Sequence, residues 1–176
     1  MMLIGISGRA GAGKSTFRNY LAHAYTDLTH LDNIEVIPFA LALKELAVSM
    51  GWRGKKDEKG RRLLQLLGTE VCRECLGEDY WIKKWLDRYT KALIAEKSIV
   101  IIDDIRFLNE LQFLKAMGST LIKITDRYDI TVNAAHDSEQ DLENVLFTRV
   151  IKNNSTLHAL QLEAKLIMKG LLNWTY

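Results

Sequence analysis

The chain has 176 residues, 48% of them hydrophobic and 26% charged, with a formal net charge of +2. That is enough chain for one domain with a substantial core, and the composition is that of a globular rather than a disordered chain. The charge is too small to argue by itself for nucleic acid or a membrane surface, and no apolar run approaches the ~20 residues of a membrane span or the length of a signal peptide.

Apolar runs alternate with helical periodicity, the pattern of a parallel sheet with crossover helices. A strand at Leu3–Ser7 enters a glycine-rich turn and then a helix from Lys14 to Tyr25. The next strand is expected over Glu35–Phe39 and a helix over Leu41–Met50, followed by a polar, Gly-punctuated loop from Gly51 to Gly60. Helices are predicted over Arg61–Cys75 and Tyr80–Glu96, the second with an apolar stripe of Ile82, Trp85, Leu86, Tyr89 and Leu93. Ser98–Asp103 reads as a buried strand, Phe107–Met117 as a helix and Thr120–Ile124 as a strand. The polar stretch Thr125–Asp141 has no clear period; a last strand at Leu146–Ile151 and a helix at Thr156–Leu172 close the chain. The sum is an α/β three-layer domain with a five-stranded parallel sheet and two polar excursions.

Gly8-Arg-Ala-Gly-Ala-Gly-Lys-Ser15 is a complete phosphate-binding loop, G-x-x-x-x-G-K-[ST], in its physical context between strand and helix. Successive backbone N–H groups and the positive end of the helix dipole converge there on a polyphosphate. Gly8, Arg9, Ala10, Gly11, Ala12, Gly13, Lys14, Ser15 and Thr16 are the candidate contacts for ATP, with Lys14 reaching the β- and γ-phosphates and Ser15 offering a hydroxyl to Mg²⁺. Ile99-Val-Ile-Ile-Asp103-Asp104 has the form of the strand whose terminal acid orients that metal, directly or through water. Periodicity does not choose between the two aspartates, because a strand buried on both faces is apolar throughout. The base-reading [NT]-K-x-D segment of small GTPases is missing. Cys72 and Cys75 lack partners for a zinc site and, three apart on a helix, read as packing residues. The basic run Arg53, Lys55, Lys56, Lys59, Arg61, Arg62 is interrupted by Asp57 and Glu58 and reads as a solvated flap, so no nucleic-acid partner is expected.

Several segments together resemble the bacteriophage-type deoxynucleoside monophosphate kinases, P-loop kinases of adenylate-kinase-like fold. They are Gly5–Ser15, Pro38-Phe-Ala-Leu-Ala-Leu-Lys-Glu45, Leu64-Gln-Leu-Leu-Gly-Thr-Glu-Val-Cys-Arg73, Asp79-Tyr-Trp81, Asp103-Asp-Ile-Arg-Phe-Leu-Asn-Glu110, His136-Asp-Ser-Glu139 and Val150-Ile-Lys-Asn-Asn154. The resemblance covers nearly the whole chain and implies transfer of the ATP γ-phosphoryl group to a deoxynucleoside monophosphate (dNMP), giving dNDP and ADP. It favours Asp104 over Asp103 for the Mg²⁺ role, and it makes Arg106 and Arg73 ligands of the acceptor or transferring phosphate. Phe39, Ala40 and Lys44 would border the acceptor pocket, with Gln65, Thr69, Glu70 and Trp81 nearby. Arg127 would be a lid arginine, His136 and Glu139 would position acceptor or lid, and Asn153 would lie near the adenine. Leu41 stands where many relatives have Asp, which makes base preference less transferable than reaction type. In this organisation residues 1–176 form one kinase domain, with an acceptor-binding region at about 41–80 and a lid at about 125–141. The compartment is cytoplasmic (the host's if the source is viral), with no membrane partner, and a homodimer is left open. The competing readings are a P-loop kinase for another phosphorylated small molecule, such as dephospho-coenzyme A or phosphomevalonate, and a nucleic-acid-associated ATPase.

Overall fold

A computed structural model describes residues 1–55, 57–126, 142 and 145–173. Five strands, β1 (Met2–Ser7), β2 (Ile34–Val36), β3 (Ile99–Ile105), β4 (Thr120–Asp126) and β5 (Arg149–Asn153), form one sheet in the order β2-β3-β1-β4-β5. Every pairing is parallel. Parallel neighbours need crossover connections, and helices supply them: α1 (Lys14–Thr29), α2 (Ala40–Ser49), α3 (Glu58–Gln65), α4 (Tyr80–Ile94), α5 (Leu108–Ala116) and α6 (Leu157–Asn173).

The alternation of strand side chains divides the core in two. Ile4 and Ile6 of β1, Ile99 and Ile101 of β3 and Ile122 and Ile124 of β4 pack with Phe17 and Leu21 of α1 and Leu160, Ala164 and Met168 of α6. On the opposite face Leu3, Val100, Ile102 and Leu121 pack with Ile82 and Trp85 of α4 and Leu111 and Leu114 of α5. Burying both faces explains why β3 reads as an unbroken apolar run, and each buried Ile or Leu contributes about 1.5–3 kcal/mol. The three-layer expectation therefore holds.

The differences from expectation have local causes. β2 stops at Val36 rather than Phe39: one more ladder bond follows, from Ile37 N–H to the Ile101 carbonyl at 3.0 Å, and then Pro38 has no N–H to donate. The helix predicted to start at Arg61 begins at Glu58, where the Asp57 carboxylate accepts from Gly60 N–H at 2.9 Å. It runs into a wider π-helical stretch, Leu66–Glu74, that no local pattern announces. β4 continues through Thr125 and Asp126, paired with Lys152 and Asn153, so the second excursion starts later than position 125. β5 starts three residues later than the apolar pattern suggests, because Leu146 is 84% exposed and outside the sheet. On α4, Leu93 is exposed and Ala92 takes the buried position in its place.

Candidate active site

In open parallel α/β sheets, ligands bind beyond the carboxyl ends of the strands, where the strand order reverses. Here that point follows β1, which pairs with β3 on one side and β4 on the other, and the loop Gly8–Ser15 leaves from it. The loop's glycines answer to close approaches: a Cβ on Gly8 would stand 2.3 Å from the Ile124 carbonyl oxygen, and one on Gly13 2.6 Å from the Asn153 side-chain nitrogen. Gly13 also caps α1 at φ 96°, in the left-handed region that favours glycine, with no side chain to occupy the first-turn amides. Lys14 folds its ammonium onto the Gly8 and Arg9 carbonyl oxygens, inside the loop. Arg9, Ala10, Gly11 and Ser15 are exposed, Thr16 is half-buried and Ala12 is buried. Asn153, at the end of β5, donates from Nδ2 to the Ala12 carbonyl at 2.9 Å, so it bears on the phosphate loop itself.

The two acids at the end of β3 face opposite layers. Asp103 turns toward α1, where its Oδ2 accepts from Nη1 of Arg18 at 2.8 Å. Asp104 turns toward α2 and accepts from the N–H groups of Phe39 at 2.8 Å and Ala40 at 2.9 Å, one on each carboxylate oxygen. Burial raises the Asp104 carboxyl above its ordinary value; the Ala40 and Phe39 amides oppose the rise, the Asp103 charge adds to it and Arg106 offsets it. Asp104 thus ties the start of α2 to the central sheet.

The rest of the Asp104–Glu110 segment binds a second stretch of chain. Glu110, 2% exposed, accepts from the backbone N–H of Arg106 at 3.0 Å and of Phe107 at 3.2 Å, and its other oxygen takes Nη2 of Arg73. Arg73, buried at the end of the π-helical stretch, also donates from Nη1 to the Glu78 carbonyl at 3.0 Å and lies 3.7 Å above the Phe107 ring. Asn109 donates to the same Glu78 carbonyl and to the Asp79 carboxylate, both at 3.1 Å. Burial pushes the Glu110 carboxyl up; the Arg106 amide and the Arg73 guanidinium pull it down, Asp104 adds to the rise and the Phe107 amide opposes it. The Arg106 side chain is exposed above this frame.

The aromatic candidates sit lower. Phe39 is 3% exposed, its ring centroid 5.6 Å from that of Trp85; Trp81 is 4% exposed and its indole donates to the Gly68 carbonyl at 2.9 Å. Both rings belong to packing, and only the Phe39 backbone meets the site. Lys44, Thr69 and Ala40 are half-buried, whereas Gln65 and Glu70 are exposed, Glu70 lying 3.5 Å from Arg62. Arg127, His136 and Glu139 lie outside the described residues. Cys72 is a buried thiol and Cys75 an exposed one, and among the described residues no cluster of His, Cys, Asp and Glu suits a metal ion. Sequence reasoning did not single out Arg18, Asn109 or Glu110. For the last two a signal existed, since both stand in the Asp-Ile-Arg-Phe-Leu-Asn-Glu segment.

Residues 49–164 match the family model described as deoxynucleotide monophosphate kinase. The chain is 29% identical over 182 residues to a protein of Acanthamoeba polyphaga mimivirus named "Putative deoxynucleotide monophosphate kinase", covering 89% of this chain and 91% of that protein. It is 28% identical over 109 residues to the deoxynucleotide monophosphate kinase of Escherichia phage RB69, covering 62% of this chain and 44% of that one. Among solved structures, the thymidylate kinase of Ehrlichia chaffeensis superposes with a TM-score of 0.47 at 17% identity, over 95% of this chain and 98% of that one. The family match begins well past the phosphate loop and spans Arg73, Asp104 and Glu110. Phosphate loops are widely shared; it is by the match over residues 49–164, well over half of its length, that this chain belongs to the deoxynucleotide monophosphate kinase family.

Proposed function

We propose that this kinase transfers the γ-phosphoryl group of ATP to a dNMP, yielding dNDP and ADP. The observation that carries the proposal is the Asp104–Glu110 segment. It leaves the strand beside the phosphate loop and bonds both the start of α2 and Arg73, so donor and acceptor halves meet across one rigid element.

The acceptor is a phosphate monoester already ionised near neutral pH, so no strong general base is required. What the protein must supply is alignment of two mutually repelling anions and neutralisation of charge on the transferred group. Residues 8–16 hold the triphosphate, with Lys14 leaving its carbonyl contacts for the β- and γ-phosphates. Arg73 and Arg106 hold the acceptor and transferring phosphates, and Arg127 joins them from a lid that closes out water. Lys44, Thr69, Gln65 and Glu70 border the acceptor, with the Phe39 and Ala40 backbone forming its floor. Trp81 supports this region from beneath. His136 and Glu139 position acceptor or lid, and Asn153 fixes the loop on the adenine side.

For Mg²⁺ the donor chemistry fits: an exposed serine hydroxyl at the start of α1 and a carboxylate facing α1 are hard oxygen ligands. We assign the metal to Ser15 and Asp103, with Asp104 one step removed as the clamp on α2. When bound, the ion screens charge on the phosphate oxygens. In this reading residues 1–176 form one domain with an acceptor region at about 41–80 and a lid at about 125–141, most of the latter lying outside the described residues. Host cytoplasm is in keeping with the viral relatives, and no helix among the described residues is long and apolar enough to cross a membrane. A dimer remains compatible with this scheme, which needs no nucleic-acid partner.

A coupled ADP-release assay with purified protein, run across the dNMPs, the ribonucleoside monophosphates and dephospho-coenzyme A, tests the proposal. Turnover that depends on a dNMP supports it; ADP release without acceptor, or only with the coenzyme precursor, overturns it.

A further inference from the structure

Glu110 has no part in the transfer just described, yet among the described residues it is one of the few buried charged groups, and its carboxylate receives three donors. We infer that Glu110 is a positioning residue that holds the Arg73 guanidinium and the Arg106 backbone in one fixed relation, so that the two arginines meet the acceptor phosphate as a preset pair. The inference rests on the proposal that Arg73 and Arg106 contact that phosphate.

The geometry supports it at each end. Oε2 accepts from the amides of Arg106 and Phe107, which fixes where the exposed Arg106 side chain leaves the chain. Oε1 accepts from Nη2 of Arg73, while the Glu78 carbonyl takes Nη1 and the Phe107 ring lies beneath the guanidinium plane. Arg73 is thus held from three directions. A guanidinium has five N–H donors in a rigid fork, and these contacts engage only one on each terminal nitrogen. A carboxylate beside an arginine also weakens its pull on a phosphate, so an isolated Glu–Arg pair would oppose binding. What offsets this is order: a side chain with much rotamer freedom is held in place before the substrate arrives. Glu110 comes from α5 and Arg73 from the π-helical stretch, 37 residues apart, so the bond also sets the distance between the two acceptor-side segments.

The test is steady-state kinetics on Glu110→Gln and Glu110→Asp, varying dNMP at saturating ATP and ATP at saturating dNMP, beside Arg106→Ala and a urea melt of each. Glu110→Gln turns an amide N–H₂ toward one of its donor partners; Glu110→Asp keeps the charge but falls short by one methylene. The expected result is a rise in KM for dNMP on the order of 10- to 100-fold in both Glu110 variants. KM for ATP should stay within about twofold, and Arg106→Ala should raise the dNMP KM as well. A purely architectural Glu110 would lower the urea midpoint and the active fraction without separating the two KM values. If Arg106→Ala moves the dNMP KM and a folded Glu110 variant does not, the positioning role is overturned while the phosphate role of the arginines stands. If Arg106→Ala leaves it unchanged, the underlying proposal fails and this one with it. Should Glu110→Gln not fold, Glu110→Asp alone decides by the same criteria.

Discussion

Asp104→Asn separates the roles given to the two adjacent acids. In the native chain the two Asp104 oxygens accept from Phe39 N–H at 2.8 Å and Ala40 N–H at 2.9 Å. Asparagine keeps one acceptor and turns an N–H₂ group toward the other amide, so one charge-assisted bond is lost and one amide faces a donor. A hydrogen bond to a charged group contributes about 1.5–3 kcal/mol, and a buried amide left unsatisfied costs about 1–3 kcal/mol. Against this, burial already raises the Asp104 carboxyl, and a neutral amide escapes the cost of burying a charge. The expected net destabilisation is therefore about 1–3 kcal/mol, felt at the first turn of α2. If about 1.4 kcal/mol of it appears in acceptor binding, KM for dNMP rises about tenfold, with KM for ATP little changed. The assay is coupled ADP release with dNMP and Mg²⁺ varied in turn, with a urea melt of each protein. Asp103→Asn is the counterpart: it should raise the Mg²⁺ concentration needed for half-maximal rate and leave the acceptor KM near that of the parent. An Asp104→Asn protein with an unchanged acceptor KM and a raised Mg²⁺ requirement would refute the division and return the metal to Asp104.

Lys14→Ala should abolish transfer in a protein that still folds, removing the ammonium that bonds the Gly8 and Arg9 carbonyls; measurable dNMP-dependent turnover would refute its role. Asn153→Ala removes one neutral bond to the Ala12 carbonyl, worth about 0.5–1.5 kcal/mol, and should raise KM for ATP several-fold without moving that for dNMP. An equal rise in both would count against its place on the loop. Because burial raises the Glu110 carboxyl, the folded chain holds that proton more tightly than the unfolded chain does. The corresponding stability is full below the unfolded pKa of about 4.3 and is lost as pH rises through the folded value, so Glu110→Gln should flatten the fall in urea-measured stability over that window. Parallel profiles for the two proteins would contradict it.

The phosphate loop, the five strands and most helices were legible because their signals are local: a motif eight residues long, apolar runs, a 3.6-residue period. What was illegible depends on partners far along the chain. Which acid of the Asp103-Asp104 pair meets which helix is hidden because β3 is buried on both faces and offers no alternation to read. Phe39 and Trp81 looked like candidate pocket aromatics, yet the structure gives both rings to the core, because an aromatic beside a site and one beneath it have the same sequence signature. The late start of β5 turned on Leu146, an apolar residue that the fold leaves exposed, and exposed leucines carry no local mark.

The segments that carried the resemblance have a physical reason to travel together. Pro38-Phe-Ala contributes the two amides that Asp104 caps; the Leu64–Arg73 run contributes the guanidinium that Glu110 holds; and Asp79, with the carbonyl before it, contributes the oxygens that Asn109 bonds. Three runs scattered over some forty residues each end on Asp104-Ile-Arg-Phe-Leu-Asn-Glu110. Of these contacts the Arg73–Glu110 bond is buried, and losing one partner there leaves a charged group unpaired at a cost of about 3–5 kcal/mol; the Asp104 bonds are part-buried and the Asn109 bonds exposed, so they cost less to break. A site for two phosphates needs such coupling more than it needs any single contact, because the reacting groups repel and a misplacement of about 1 Å can cost on the order of a hundredfold in rate. The phosphate loop can be borrowed by any fold that binds a triphosphate; a frame whose members satisfy one another has to be kept whole, and in the proposed reading that frame sets where the acceptor lies.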